Sequence, residues 1–207
     1  MKVYKDIEQG TPEWHKIKEL KFTASNATAV IADGKGLQTL IKEMLADYYS
    51  SGVFESYSGK YKNEAMQRGN DMEETARNIY SLETGLKVEQ VGFVEIDEYI
   101  GCSPDGLVGE EGLIEIKNHG DKEFLSLNLT GKISSQYINQ MQFQLYVTGR
   151  KWCDYFGFNP NFTPNFFKKR VYRDEEVISK IDLNLKRAKQ MLIVEKNKLD
   201  RIFEKVS

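Results

Sequence analysis

Cysteine is scarce. Cys102 and Cys153 are the only two in 207 residues, and neither stands in a Cys-x-x-Cys or Cys/His spacing. A disulfide framework, a structural zinc site and an iron–sulfur centre are therefore not indicated, and reduced thiols are expected. No run approaches the roughly 18 apolar residues of a membrane-spanning helix, and the opening MKVYKDIEQG lacks the apolar stretch of a secretory signal. The expected address is the cytoplasm. Positive charge is not in excess either: the formal net charge is −2, which gives no global attraction for nucleic acid. Basic residues do cluster locally, at Lys16, Lys18 and Lys21, at Arg150 and Lys151, and at Lys168, Lys169, Arg170 and Arg173, although solvated faces show the same pattern. Linkers, repeats and low-complexity segments are missing as well, and 40% hydrophobic residues are enough for a core, so residues 1–207 read as one domain.

Helix signals lead. Pro12 opens TPEWHKIKEL, Ser25 reads as the N-cap of SNATAVIAD, and LQTLIKEMLADYYSS follows. GVFESYSGKYKN looks like a mobile stretch before a long helical pattern from about Glu64 to Leu82, ended by Gly85. The middle is β: LKVEQVGFVEI, YIGCSPDGLV and GLIEIK read as a small meander. Helices near 122–129 and 134–147, strands at KWCDYFGF and NFFKKRVY, and a closing helix from Glu175 complete the order. The expected fold is α+β, with an α/β core built on a mixed sheet flanked by helices.

Within LIEIK, alternation puts Ile114 and Ile116 on one face and Leu113, Glu115 and Lys117 on the other, with Glu115 and Lys117 roughly 6 to 7 Å apart along the strand. A wet strand face explains such a pair equally well. Asp105 changes the weighting, because Ser103, Pro104 and Gly106 form a tight turn that presents it across a hairpin from Glu115. Two carboxylates with a lysine beside them suit phosphodiester hydrolysis. The carboxylates hold a hard Mg2+ in an oxygen shell, and the ion polarises the phosphate and acidifies a bound water. The lysine can orient or deprotonate that water and stabilise the charge that develops.

Periodicity adds two more positions. Met66, Gly69, Met72, Ala76, Ile79 and Tyr80 define the inward stripe of the long helix, and Glu73 sits within it, where an ionised carboxylate needs a partner or a metal. The alternative is that Glu73 lies on the edge of the stripe and reaches solvent. In SSQYINQMQFQLYVTG, Gln136, Gln140 and Gln144 form a column of amides opposite Ile138, Met141 and Leu145, and Gln140 with Tyr137 shares a face suited to a phosphate or a water near a metal. His119 reads as a surface or outer-layer residue and not as a ligand; Trp14 and Trp152 read as core.

An Asp, nine residues, then Glu-x-Lys, with a helical Glu upstream and a helical Gln downstream, is the layout of the PD-(D/E)xK nucleases. More specifically, EQGTPEWHKIK, FTASNA, RGNDMEETA, CSPDGL, IEIK and YINQMQFQLYVTG resemble, in order and spacing, the lambda exonuclease and YqaJ-type phage recombination nucleases, from about Glu8 to Gly149. The resemblance implies a Mg2+-dependent enzyme, with Mn2+ as the alternative ion. Its expected action is processive 5′-to-3′ digestion of double-stranded DNA ends, releasing mononucleotides and leaving a 3′ overhang for a single-strand annealing protein. It further implies that Asp105, Glu115 and Glu73 bind metal, that Lys117 is the catalytic lysine and that Gln140 is the glutamine of the following helix. Lys18 falls where the family has an arginine on the terminal 5′-phosphate; the substitution keeps the charge and loses the bidentate fork. Ser25 matches the phosphate-binding serine, and Lys35 is a further candidate contact. A homotrimeric ring that threads DNA is implied too, and would let a mildly acidic chain hold DNA by topology.

Two other readings remain open at this point. One is an endonuclease or helicase-associated nuclease of the same superfamily. The other is a catalytically silent DNA-end-binding subunit, which the presence of Glu73, Asp105, Glu115 and Lys117 argues against.

Overall fold

The computed structural model describes residues 1–50 and 59–204, with side chains described except over 59–71. The stretch GVFESYSGKYKN therefore lies, over 52–58, outside the described residues, and so does the side chain of Met66. Among the described residues the chain runs β1 (Lys2–Tyr4), α1 (Pro12–Lys18), a 3-10 turn (Ala24–Asn26), α2 (Ala27–Ala32), α3 (Lys35–Tyr49) and α4 (Gly59–Thr84). It continues through β2 (Val88–Glu89), β3 (Phe93–Asp97), β4 (Ile100–Cys102), β5 (Gly106–Val108) and β6 (Gly112–Asn118). α5 (Asp121–Thr130), α6 (Ser135–Thr148), β7 (Trp152–Phe158), β8 (Phe166–Tyr172) and α7 (Glu175–Phe203) close it.

The strands form two sheets. A five-stranded one has the order β2-β5-β6-β7-β8, and a three-stranded one has the order β1-β3-β4. Only β6 and β7 run parallel in the larger sheet, which makes it mixed as expected. The expected meander is corrected in two respects: LKVEQVGFVEI divides into β2, which pairs with β5, and β3, which lies in the other sheet, and β4 and β5 do not pair, because the Ser103–Pro104–Asp105 turn carries the chain from one sheet to the other. β1, only three residues long, gave no signal of its own and is held by pairing with β3.

Alternation along the central strands divides the core in two. Ile114, Ile116, Phe156 and Phe158 pack with Ala76 and Tyr80 of α4 on one face. Leu113, Cys153 and Tyr155 pack on the other with Met141 and Leu145 of α6 and with Leu185 and Ala188 of α7. Buried Asp154 fixes α4 to the sheet: it accepts a two-pronged bond from Arg170 (2.7 and 2.9 Å) and a bond from the Tyr80 hydroxyl (2.8 Å). Such a pair stabilises only because its hydrogen bonds are complete. Arg170 also lies 3.5 Å over the ring of Trp152, which is only partly buried.

Helix ends follow their local chemistry. Pro12 opens α1 behind a Thr11 cap, and Gly131 and Gly149 end α5 and α6 in the left-handed region that glycine adopts without strain. Ser25 is not the N-cap it was read as: it lies inside the 3-10 turn, which Asn26 closes by accepting from the Thr23 backbone N–H at 3.2 Å, and α2 starts only at Ala27. Both cysteines are buried and free. No helix among the described residues is long and apolar enough to cross a membrane.

Candidate active site

Asp105 begins where the chain changes sheets, and its position is fixed from several sides. Gln9 donates to the carbonyl of Pro104 at 3.1 Å and to that of Val91 at 3.0 Å. Trp14, partly buried, uses its indole N–H to reach Ser103 Oγ (2.8 Å) and the Gly92 carbonyl (3.1 Å), so the front motif brackets the turn. The Asp105 side chain accepts from the Ile116 backbone N–H at 2.7 Å, and Arg77 of α4 donates to the Asp105 carbonyl at 3.3 Å. Gly106 follows because a Cβ there would collide with Val88 of β2. Since Gly106 pairs with Ile114 across the hairpin, Asp105 stands opposite Glu115.

Glu115 is completely buried. One carboxylate oxygen, Oε2, accepts from Gln144 Nε2 at 2.6 Å. The other, Oε1, has no hydrogen-bond donor aligned on it and is met by the Lys117 ammonium as an ion pair. Lys117 also stands 5.2 Å from the centre of the Tyr137 ring, and Gly157, its neighbour in register on β7, places no side chain in this space.

The electrostatics describe a site with surplus negative charge. Burial, and then the charge of Glu115, push the Asp105 carboxyl well above the usual carboxylate range, and Lys117 offsets only part of this. Burial works against the Lys117 ammonium, but Glu115 and Asp105 outweigh it and raise its pKa, so this lysine is firmly protonated at neutral pH. Oxygen donors that repel one another and want a cation fit a hard divalent metal. Asp105 and Glu115 are the residues that could hold it.

Glu73 is placed near the pair and not in contact with it. Part-exposed on α4, it is bound by Arg77 Nη1 at 2.5 Å, the same nitrogen that reaches the Asp105 carbonyl. Among the described residues no three carboxylate, imidazole or thiol side chains form a ready-made metal cluster, so the site is a carboxylate pair with a third carboxylate one link away. A cavity of about 510 Å³ opens on this side, lined by Gln9, Glu73, Glu74, Arg77, Gln90 and Asp105 among others.

The remaining candidates divide. Gln140 is partly buried on α6, one turn before Gln144; Gln144, grouped with it by spacing, is the amide that touches Glu115. Lys18 is half-buried with its ammonium 3.6 Å over the Trp14 ring, which itself reaches Ser103, and burial holds it down at about 8. Exposed Ser25 bonds Thr23 at 2.9 Å in a turn that packs against α6. Lys35 starts α3 exposed, and no contact joins its ammonium to the other candidates among the described residues. His119 is half-buried, not a member of the carboxylate group, with Nε2 2.7 Å from the Tyr155 hydroxyl. Arg77 was missed by the sequence reading, although its place one turn after Glu73 on a helix was a usable signal.

A mixed sheet with helices on both faces, presenting Glu115 and Lys117 from β6 and Asp105 from the turn that leads into β5, defines a nuclease of the PD-(D/E)xK class. The model of the YqaJ-like viral recombinase domain matches residues 13–151, and the chain belongs to that family. Among solved structures it is similar to the alkaline exonuclease LHK-Exo of Laribacter hongkongensis, at 33% identity over 95% of this chain and 100% of that one, with a TM-score of 0.82. LHK-Exo in complex with dAMP gives 34% identity with the same coverage and TM-score. A phage related exonuclease from Haemophilus somnus 129PT shares the fold, at 19% identity over 93% and 99% of the two chains and a TM-score of 0.59. No curated protein matches the chain.

Proposed function

We propose that this protein is a metal-dependent exonuclease that degrades double-stranded DNA from its ends in the 5′-to-3′ direction, releasing mononucleotides and leaving a 3′ overhang. The observation that carries the reading is the Asp105–Glu115–Lys117 group, with Glu115 fully buried against the Lys117 ammonium, in a chain one third identical to an alkaline exonuclease. Asp105 and Glu115 hold Mg2+ or Mn2+, with Glu73 as the third carboxylate. A divalent cation there supplies Lewis acidity toward the phosphate and acidifies a bound water.

The protein's own groups do the rest. Lys117 is an ammonium before substrate arrives, so it donates to the phosphate oxygens as negative charge builds up, and a base role is disfavoured. Gln144 anchors Glu115 through Oε2, which leaves Oε1 for the Lys117 ammonium. Gln140 orients the attacking water or a phosphate oxygen. Lys18 and Ser25 receive the terminal 5′-phosphate, with Lys35 as an outer contact. A homotrimeric ring and transfer of the overhang to a single-strand annealing protein belong to the same reading, and light scattering of the purified chain tests the ring by giving three times the 23.9 kDa of one chain.

Strand polarity and end dependence test the function. Linear duplexes labelled at the 5′ or the 3′ terminus, with 5′-phosphate or 5′-hydroxyl, are compared with a closed circle in Mg2+. Early release of the 5′ label from linear DNA only, faster with 5′-phosphate, is expected. Cutting of the circle would indicate an endonuclease, and binding without release a silent subunit.

A further inference from the structure

We infer that Arg77 is a positioning residue that links Glu73 on α4 to the Asp105 turn and so decides whether the third carboxylate is available to the metal. The inference rests on the metal-site reading above. An Arg four residues after a Glu on a helix is ordinarily a weak surface pair. This one differs in three ways. The Arg77 side chain is only 12% exposed, so its bonds are poorly screened. Its Nη1 serves both Glu73 Oε1 (2.5 Å) and the Asp105 carbonyl (3.3 Å), so one nitrogen joins the helix to the turn. With its amide turned oxygen-inward, Gln90 accepts from Nη2 at 2.5 Å and lies 3.2 Å from both Nη1 and Nε, which gives the guanidinium a further neutral partner.

The guanidinium is thus anchored by two neutral oxygens, the Asp105 carbonyl and the Gln90 amide, and offers its remaining capacity to Glu73. A planar fork with five donors can hold this geometry, whereas an ammonium can hold only part of it. Gln9 holds the preceding carbonyl, that of Pro104, from the same cavity, so both carbonyls of the turn that presents Asp105 are fixed by side chains. Glu73 lacks any such fixation other than Arg77 among the described residues, and α4 would otherwise leave it free to turn toward the cavity. No bond joins Arg77 to Glu115 or Lys117 among the described residues, so its effect on the metal passes through Glu73, with the turn serving as the anchor.

The test uses Mn2+ alone, without DNA, followed by loss of the free-ion electron paramagnetic resonance signal on the full chain. Arg77→Gln is expected to weaken Mn2+ binding about tenfold, the lower end for residues that orient metal ligands. Arg77→Lys should lose less, and it also serves as the reporter if the Gln variant does not fold. In a Glu73→Gln background the same Arg77→Gln change should alter affinity less than about twofold, because the carboxylate it positions is gone. Unchanged or tighter Mn2+ binding by Arg77→Gln would overturn the inference, and so would a tenfold loss that persists in the Glu73→Gln background. Absence of Mn2+ binding by the unaltered protein would overturn the metal-site reading itself, and the inference with it.

Discussion

Lys117 and Asp105 carry opposite liabilities that show up in different measurements. Lys117 is stabilised as an ammonium by two carboxylates, so Lys117→Ala should retain DNA and Mg2+ binding and lose about 10²- to 10⁴-fold in turnover, measured as single-turnover nucleotide release. Burial and then the charge of Glu115 disfavour the Asp105 anion, so the native fold carries a cost at this carboxyl. Asp105→Asn should therefore abolish activity while raising the melting temperature of the metal-free protein by a few degrees, on the order of 1 kcal/mol of relieved repulsion. Melting curves in chelator check this; a lower melting temperature would mean that the Ile116 bond outweighs the repulsion. Lys18 adds a pH signature. With its ammonium held near 8 by burial, it loses its proton as pH rises through that value, and a bound phosphate favours the charged form. The kcat/KM for 5′-phosphorylated ends should fall above pH of about 8, with no matching fall for 5′-hydroxyl ends.

At the level of elements, α6 separates two glutamines that sequence spacing treats alike. Gln144 is buried on Glu115, so Gln144→Leu leaves a buried carboxylate oxygen unpaired, at a cost of about 1 to 3 kcal/mol. Each kcal/mol lowers the melting temperature by roughly 2 to 4 °C in a chain of this size. Gln140→Leu should leave the melting temperature within about 1 °C, since this partly exposed amide carries no such buried bond to a carboxylate, and lower nucleotide release. The same contrast explains what was legible beforehand. The turn chemistry around Asp105 and the two-residue period of LIEIK are local, and both predicted the observed faces correctly. The burial depth of Gln144 and the Arg77 link depend on how α6 and α4 dock against the sheet, which no single segment encodes. Likewise Ser25 carried a cap signature, but Thr23 and Asn26 close that turn. The change of sheet between β4 and β5 was illegible because a chain leaving one sheet for another has the same turn residues as a hairpin.

For the whole molecule, a net charge of −2 gives no global attraction for DNA, so under the proposed function that attraction rests on local basic groups such as Lys18. α7 buries Ile178, Ile181, Leu185, Ala188 and Leu192 against the core, and exposes Val194, Ile202 and Phe203 toward its C-terminal end. Family and fold follow from the comparisons, whereas the roles of single side chains rest on geometry, so the decisive measurement has to join chemistry to named residues. It is the release of acid-soluble nucleotide from linear duplex DNA in Mg2+, run in parallel for the unaltered protein, Asp105→Asn and Lys117→Ala, each with a chelator control. The account predicts chelator-sensitive release by the unaltered protein and its near-complete loss in both folded variants. Release by either variant at the unaltered rate, or release that survives the chelator, would contradict it.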